Sequence, residues 1–259
     1  MQMMRGLHTP VRAIRRRVFK EVAELGFKAD ADTLLADMEA IPYAIVNEDA
    51  EKYRESVYRA RAIVRERLRL AMGLSLRPEN KPVHLTAGVE ASNISEKYYE
   101  PPLMQVVPSA CESCEENKYE VSNICKGCLA HPCQEVCPRD AISMVNGRSY
   151  IDQDKCIKCG KCKSVCPYDA IAKKERPCQK ACGVNAIKSD KVGRAYIDPE
   201  KCVSCGMCMV SCPFGAISDK SQIFQLARAL SEGENIIAEI APAFVGQFGD
   251  NITPRNIKA

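Results

Sequence analysis

The chain lacks the features of a membrane-spanning or exported protein. No uncharged stretch of about 18 or more apolar residues occurs, so we expect no transmembrane helix. The first residues carry charges and contain no apolar run of about 7 to 15 residues, so we expect no signal peptide. These absences favour a cytoplasmic protein.

An excess of charge of one sign is also nearly absent. Lys and Arg number 37 against 33 Asp and Glu, which leaves a net charge of +4 and no basic tail. This small excess is a weak basis for nucleic-acid binding, which we therefore do not expect. Hydrophobic residues at 46% and charged residues at 27% are ordinary for a folded globular protein.

Cysteine is absent from residues 1–110 and 213–259, and all 16 cysteines lie between Cys111 and Cys212. Closely spaced cysteines in a reducing compartment are more often metal ligands than disulfides. The cysteines therefore mark a metal-binding region with cysteine-free regions on both sides.

The cysteine-free N-terminal region shows helical periodicity over residues 1–75. Residues 10–27 predict an amphipathic helix, with Thr9 as its N-cap and Pro10 at its first position. Residues 49–72 predict a second helix, whose arginines we interpret as a solvent-exposed face. A shorter helix between them should end near Pro42, because the residue before a proline is pushed out of the helical region.

Residues 76–110 are rich in proline and predict a linker with extended segments. After the last cysteine, residues 221–231 predict a helix. Residues 235–248 predict a strand that is interrupted by Pro242.

Two segments have the spacing C-x2-C-x2-C-x3-C-P, which is the run of bacterial 4Fe-4S ferredoxins. They begin at Cys156 and Cys202. A third run begins at Cys125 and has two extra residues between its second and third cysteines, and Cys178-x3-Cys182 keeps only the second half of the pattern. Three thiolates of a run bind one cluster and the fourth binds the neighbouring cluster, so clusters occur in pairs. We call this exchange the crossing rule.

The crossing rule, together with a count of the cysteines that remain, assigns all 16 cysteines as iron ligands of 4Fe-4S clusters. The predicted sites are the first (Cys125, Cys128, Cys133, Cys166), the second (Cys137, Cys156, Cys159, Cys162), the third (Cys182, Cys202, Cys205, Cys208) and the fourth (Cys111, Cys114, Cys178, Cys212). The first three sites follow from the rule directly. The fourth collects the cysteines that remain, so we expect at least three clusters and four in total.

The segments that follow the runs repeat as well. AISMVNGRSYIDQDKC and AIKSDKVGRAYIDPEKC each predict two short strands, with turns at Asn146–Gly147 and Val192–Gly193. This is the internal repeat of a dicluster ferredoxin, present twice. The predicted fold is therefore α+β: a helical unit (1–75), a linker (76–110), a double ferredoxin-like domain (111–220) and a C-terminal segment (221–259).

Other interpretations of the same residues remain open at this stage. Cys111-x2-Cys114-x10-Cys125-x2-Cys128 also has the spacing of a four-cysteine zinc ribbon. His131 is either a cluster ligand or a turn residue. A set of basic residues around the first ferredoxin unit either docks an acidic carrier or is a solvated surface: Lys126, Lys155, Lys158, Lys161, Lys163, Lys173, Lys174 and Arg176.

The segments CKGCLAHPCQEVCPRDAI, CIKCGKCKSVCPYDAI, RPCQKACGVNAI and CVSCGMCMVSCPFGAI together resemble the iron-sulfur region of iron-only (FeFe) hydrogenases of the clostridial monomeric type. TPVRAIRRRVFKEVAEL is similar to the helical lead-in of those proteins. NIIAEIAPAFVGQFGDNITPRNIKA is similar to the opening of their catalytic domain. The resemblance implies anaerobic electron transfer through 4Fe-4S clusters, between a redox carrier such as ferredoxin and a hydrogenase catalytic domain or subunit.

The family's catalytic H-cluster is bound by further cysteine motifs such as TSCCP, and no cysteine follows Cys212 here. We therefore expect no catalytic residues and no activity in this chain alone. It would be a hydrogenase region truncated before the H-cluster domain, or a stand-alone electron-transfer subunit. The alternatives are a ferredoxin-type subunit of another oxidoreductase, such as a molybdopterin enzyme, and a zinc-stapled interaction module.

Overall fold

The computed structural model describes residues 7–28, 30, 32–47, 53–94, 101–241 and 255. Its helices are α1 (Pro10–Lys28), α2 (Leu34–Ile45), α3 (Val57–Ala71), α4 (Pro132–Glu135), α5 (Lys161–Val165), α6 (Pro177–Lys180), α7 (Met207–Ser211) and α8 (Ile223–Ser231), with a 3-10 turn at Pro108–Ala110. Its strands are β1 (Met104–Val106), β2 (Lys118–Val121), β3 (Ile142–Val145), β4 (Arg148–Ile151), β5 (Ile171–Lys174), β6 (Ile187–Ser189), β7 (Ala195–Ile197) and β8 (Ile217–Asp219). Helices and small sheets are thus mixed, and none of the described helices is long and apolar enough to cross a bilayer.

Helix α1 begins where the sequence predicts it. The backbone N–H of Arg12 donates to Thr9 Oγ1 at 3.3 Å, so Thr9 caps the helix. Pro10 lies at the first helical position, where its missing N–H costs no helical hydrogen bond. Val22 is fully buried against the neighbouring helices, as the apolar periodicity indicates. The prediction of this helix is confirmed.

Helix α2 corrects the predicted end near Pro42. The helix continues to Ile45, and the N–H of Val46 donates to the carbonyl oxygen of Pro42 at 3.0 Å. The proline removes one helical hydrogen bond because it has no N–H. Ile41 and Ile45 are both buried in the helical core. Their burial, worth about 1.5–3 kcal/mol for each side chain, outweighs the local preference for a helix end.

Helix α3 is shorter than predicted at its start. It begins at Val57, whereas the predicted helix starts at residue 49, and residues 48–52 lie outside the described part of the chain. Val64 and Leu68 are fully buried, but Val57 is 39% exposed. The apolar periodicity is therefore correct except at Val57, since Ala60 and Ile63 in the N-terminal half are buried as well.

Two arginines of α3 contradict the prediction of a solvent-exposed face. Arg67 is 3% exposed and Arg69 is 6% exposed. Arg69 donates to the carbonyl oxygens of Ser75, Leu85 and Ala87 at 2.9, 2.7 and 2.8 Å. These oxygens replace water as acceptors, which makes burial of this guanidinium group tolerable. Arg69 thereby fixes the next segment against α3.

The segment predicted as a linker, residues 76–110, contributes to both parts of the structure. Leu85 and Val89 lie in the core of the helical unit. Strand β1 of the same segment pairs antiparallel with β8. The segment thus joins the helices to the cysteine-rich region through packed residues.

Four two-stranded antiparallel sheets support the cysteine loops in the described residues. In the first ferredoxin unit, β2 pairs with β5 around the hairpin β3–β4. In the second unit, β1 pairs with β8 around the hairpin β6–β7. Both predicted hairpins are confirmed, and Asn146 and Gly147 have φ of 49° and 73°, as a type I′ turn requires.

The first ferredoxin unit is inserted within the second. Strand β1 and the chain up to Cys114 belong to the second unit, and β2 to β5 form the first. The second unit resumes with α6, which carries Cys178. The inserted unit therefore separates Cys111 and Cys114 in sequence from the half-motif Cys178-x3-Cys182 of the same unit.

Helix α8 packs on the helical unit. Phe224 is fully buried in the core of α1, α2 and α3. A Cβ on Gly26 of α1 would lie 2.8 Å from Ala227 Cβ, so the two helices approach closely at this glycine. The helix predicted over residues 221–231 is confirmed. The strand predicted after it is wrong for residues 235–241, which have no regular structure, and its remainder lies outside the described residues.

Candidate iron-sulfur sites

The first predicted site is a small pocket in the first ferredoxin unit. The cysteines that line it are Cys125, Cys128, Cys133 and Cys166. Three of them come from α4 and the loop before it, and the fourth follows α5. Ser149 Oγ lies 3.3 Å from the Sγ atom of Cys133. The structure thus brings together cysteines that the crossing rule groups.

The second predicted site is a small pocket in the same unit. The cysteines that line it are Cys137, Cys156, Cys159 and Cys162. Gly160 has a φ of 80°, and a Cβ there would lie 2.5 Å from the hydroxyl oxygen of Tyr119. Glycine at this position therefore lets the tyrosine ring cover the loop.

The fourth predicted site is a small pocket in the second unit. The cysteines that line it are Cys111, Cys114, Cys178 and Cys212. Arg176 also lines it and is only 3% exposed, so its inclusion in the solvated basic surface is wrong. Its guanidinium group donates to the Cys114 carbonyl oxygen at 2.8 and 3.0 Å and pairs with Glu116 at 2.8 Å. The signal in the sequence is its position directly before Pro177 and Cys178.

The cysteines of the third predicted site also lie in the second unit. Cys208 is buried, and Cys182 and Cys202 pack against the same apolar core. Burial raises the pKa of the Cys208 thiol to about 11, and the nearby Cys202 and Cys205 add to the effect. The same core also contacts Cys111 and Cys178 of the fourth site, so these contacts place the third-site cysteines in the second unit.

A backbone hydrogen bond recurs once in each cysteine run. In every run, the N–H of an alanine donates to the Sγ atom of the cysteine four residues before it. The pairs are Ala141 to Cys137 (3.3 Å), Ala170 to Cys166 (3.4 Å), Ala186 to Cys182 (3.2 Å) and Ala216 to Cys212 (3.3 Å). These amides favour negative charge on the sulfur atoms. The sequence shows the repeated alanine but not this role.

The thiols differ in how easily they lose a proton. Burial raises the pKa of Cys178 to about 12, and the negative charge of Cys212 acts in the same direction. Burial alone would also raise the pKa of Cys125, but hydrogen bonds from backbone N–H groups of Ser149 and Gly127 outweigh it and the pKa is lowered. Ligating thiols must be deprotonated, so the buried ones need a positive partner such as iron.

The structure opposes the zinc-ribbon interpretation. Cys111 and Cys114 line one cavity, whereas Cys125 and Cys128 line another. A zinc site would hold four thiolates at about 2.3 Å from one ion. In the described residues, no group of three or more His, Cys, Asp or Glu side chains is arranged to hold a single metal ion. The cysteines surround cavities instead, as ligands of a larger group would.

His131 is a turn residue. Its φ is 41° and its ψ is 44°, a left-handed conformation directly before α4. Its carbonyl oxygen accepts the N–H of Gln134 at 2.9 Å, which starts the helix. It is not among the residues that line the first site. The turn interpretation is therefore confirmed.

The 4Fe-4S binding domain family matches residues 149–172 and 195–218, which contain the two regular cysteine runs. A 7Fe ferredoxin of Hydrogenibacillus schlegelii is 45% identical over 53 residues, which cover 20% of this chain and 68% of that protein. An uncharacterized ferredoxin of Methanocaldococcus jannaschii is 37% identical over 62 residues, which cover 24% of this chain and 37% of that protein. The electron transport protein HydN of Escherichia coli is 34% identical over 71 residues, covering 27% of this chain and 41% of that protein.

The chain thus spans less than half the length of the archaeal ferredoxin and of HydN. The family match lies within the cysteine-rich region. The matched family is described by 4Fe-4S binding, and the relatives are named as ferredoxins or as an electron transport protein.

Proposed function

Because this chain belongs to the 4Fe-4S ferredoxin family, we propose that its cysteines hold four 4Fe-4S clusters and that it is the electron-input module of an iron-only hydrogenase. The observation that supports four clusters is the grouping of the cysteines. Three pockets are each lined by four cysteines, and in each the fourth ligand comes from the neighbouring run.

The donor set fits the clusters. Four cysteine thiolates are the usual ligands of a 4Fe-4S cluster, and each group of cysteines lies against a small apolar core. When bound, such a cluster accepts and donates one electron at a time. The residues of the chain hold it in place and limit its contact with water. The repeated alanine amides stabilise negative charge at sulfur and so favour the reduced state.

The first ferredoxin unit offers a surface for a redox carrier. Cys159 of the second site is exposed, which brings this site to the surface. Five exposed basic side chains surround the first and second sites, and none of them is ion-paired with a described residue: Lys126, Arg139, Lys158, Lys161 and Lys163. Such a surface attracts an acidic one-electron carrier such as a ferredoxin and raises its association rate.

The hydrogenase assignment is supported by the flanking segments. The helical lead-in and the segment from Asn235 onward resemble clostridial iron-only hydrogenases, beyond the ferredoxin runs that many proteins share. The names of the relatives, ferredoxin and electron transport protein, favour the wider alternative of an electron-transfer subunit of another oxidoreductase. The gene distinguishes the two. A reading frame that continues into motifs such as TSCCP supports the hydrogenase, and a neighbouring gene for a molybdopterin subunit supports the alternative.

The cluster count is tested by measuring iron, acid-labile sulfide and zinc per chain after anaerobic reconstitution. Four clusters predict about sixteen irons and sixteen sulfides, with visible absorbance that dithionite bleaches. About twelve irons and twelve sulfides per chain would exclude a cluster at the fourth site. Zinc without iron would overturn the electron-transfer function altogether.

A further inference from the structure

Arg67 is a buried cation without a matching anion. Its Nη2 donates to the carbonyl oxygen of Gly215, but Nε and Nη1 are buried and have no hydrogen-bond partner in the described residues. Nor does any described carboxylate form an ion pair with it. Burial lowers its pKa from a very high ordinary value, yet an arginine keeps its proton in a protein. An unpaired buried charge is strongly destabilising, so a counter-charge is expected nearby.

The environment of Arg67 points to the fourth site. Gly215, whose carbonyl oxygen accepts the hydrogen bond from Arg67, lies three residues after Cys212 of the fourth site. Arg15 and Arg54 are close to Arg67 and repel it. Their own charges are paired, since Arg15 binds Asp219 at 2.7 Å and Arg54 binds Glu112 at 3.2 Å.. Arg176, on the same site, is paired with Glu116.

The cysteine run that begins at Cys202 leaves space for the guanidinium group of Arg67. The residue three positions after the last cysteine has positive φ in all four runs: Asp140 (47°), Asp169 (48°), Asn185 (51°) and Gly215 (60°). The first three are exposed, whereas Gly215 is buried. Since Asp and Asn adopt the same conformation, φ alone does not require glycine here. A Cβ on Gly215 would lie 2.8 Å from Arg67 Nη2, so the missing side chain is what admits the guanidinium group.

We propose that Arg67 is the counter-charge of the cluster at the fourth site and raises its reduction potential. The inference rests on the proposed function, which places a cluster there. Four thiolates more than offset the positive iron-sulfide core, so the assembled cluster is an anion. Reduction by an external one-electron donor adds one negative charge and neither forms nor breaks a bond. A fixed positive charge in a poorly solvated region stabilises the more negative, reduced state of the cluster. Arg67 therefore acts on the cluster through its positive charge.

The test compares reconstituted full-length Arg67→Met and Arg67→Lys with the wild type. Redox titrations followed by electron paramagnetic resonance give the midpoint of each cluster, and the loss of a signal in Cys178→Ala identifies the cluster of the fourth site. In Arg67→Met we expect this midpoint to become more negative by at least about 59 mV, a tenfold change for one electron. Arg67→Lys should keep most of the wild-type value. The other midpoints should not move.

An unchanged midpoint in Arg67→Met overturns the inference, as does an equal shift in Arg67→Lys, which would indicate packing rather than charge. Iron content equal to the wild type shows that a variant is loaded. If Arg67→Met loses iron, Arg67→Gln takes its place under the same criteria. A different result would contradict the proposed function itself. If Cys178→Ala removes no signal and no iron from the protein, the fourth site holds no cluster.

Discussion

Gly215→Asn tests why glycine is needed after the cysteine run that begins at Cys202. The reason is either the lack of space for a side chain or the backbone conformation. Asparagine tolerates positive φ, and Asn185 has it in the equivalent place. The new Cβ would collide with Val11 of α1 and with Arg67 of α3. Overpacking of this kind costs about 1–3 kcal/mol, and displacing a charged hydrogen bond adds about 1.5–3 kcal/mol. Because the helices can shift a little, we expect a loss of about 2–4 kcal/mol in the free energy of unfolding.

The assay is anaerobic urea unfolding of the reconstituted protein, followed by far-ultraviolet circular dichroism. Asp169→Asn is the matched control, because Asp169 has a φ of 48° at the same place in the first unit and is exposed. It should change the free energy of unfolding by about 0.5 kcal/mol or less. Equal stability of Gly215→Asn and this control would refute the reasoning, since the helical unit would then not restrict position 215.

Two further changes test the cluster assignment and the helical core. Cys166→Ala should abolish the paramagnetic signal of the first site and leave that of the second; the opposite loss would contradict the crossing rule. Phe224→Ala should lower the free energy of unfolding by about 3–5 kcal/mol, because it removes a fully buried ring from the core that joins α8 to α1. Leu226, 48% exposed on the same helix, is the control, and its change to alanine should cost about 1 kcal/mol or less in the same urea titration. Equal losses would argue against this packing of α8.

The sequence predicts the elements that local rules determine. A cysteine run is read from spacing alone, because a cluster constrains its ligands within a few residues. The hairpin at Asn146–Gly147 follows from two residues that accept positive φ. The start of α1 follows from a cap and a proline. In each case the physical cause lies within the segment itself.

The sequence fails where the cause lies elsewhere in the chain. The arginines of α3 resemble a solvated face, yet the acceptor for Arg67 is the carbonyl oxygen of Gly215, far along the sequence. Arg176 is adjacent to a cysteine run, but Cys114 and Glu116 explain its burial. The helix through Pro42 likewise depends on a core built from other helices. Tertiary contacts override local preference at all of these positions.

The nested order of the two ferredoxin units would give a cluster at the fourth site a structural role as well. Its cysteines come from before the inserted unit, directly after it, and from the end of the second unit. The helical unit touches the same site, since Arg54 donates to the carbonyl oxygens of Ala110 and Phe214 at 3.3 and 2.6 Å. A cluster bound there would therefore close long loops of the chain, and loop closure contributes more to stability as the loops lengthen. Loss of the fourth cluster should for this reason loosen the helical unit as well as shorten the relay.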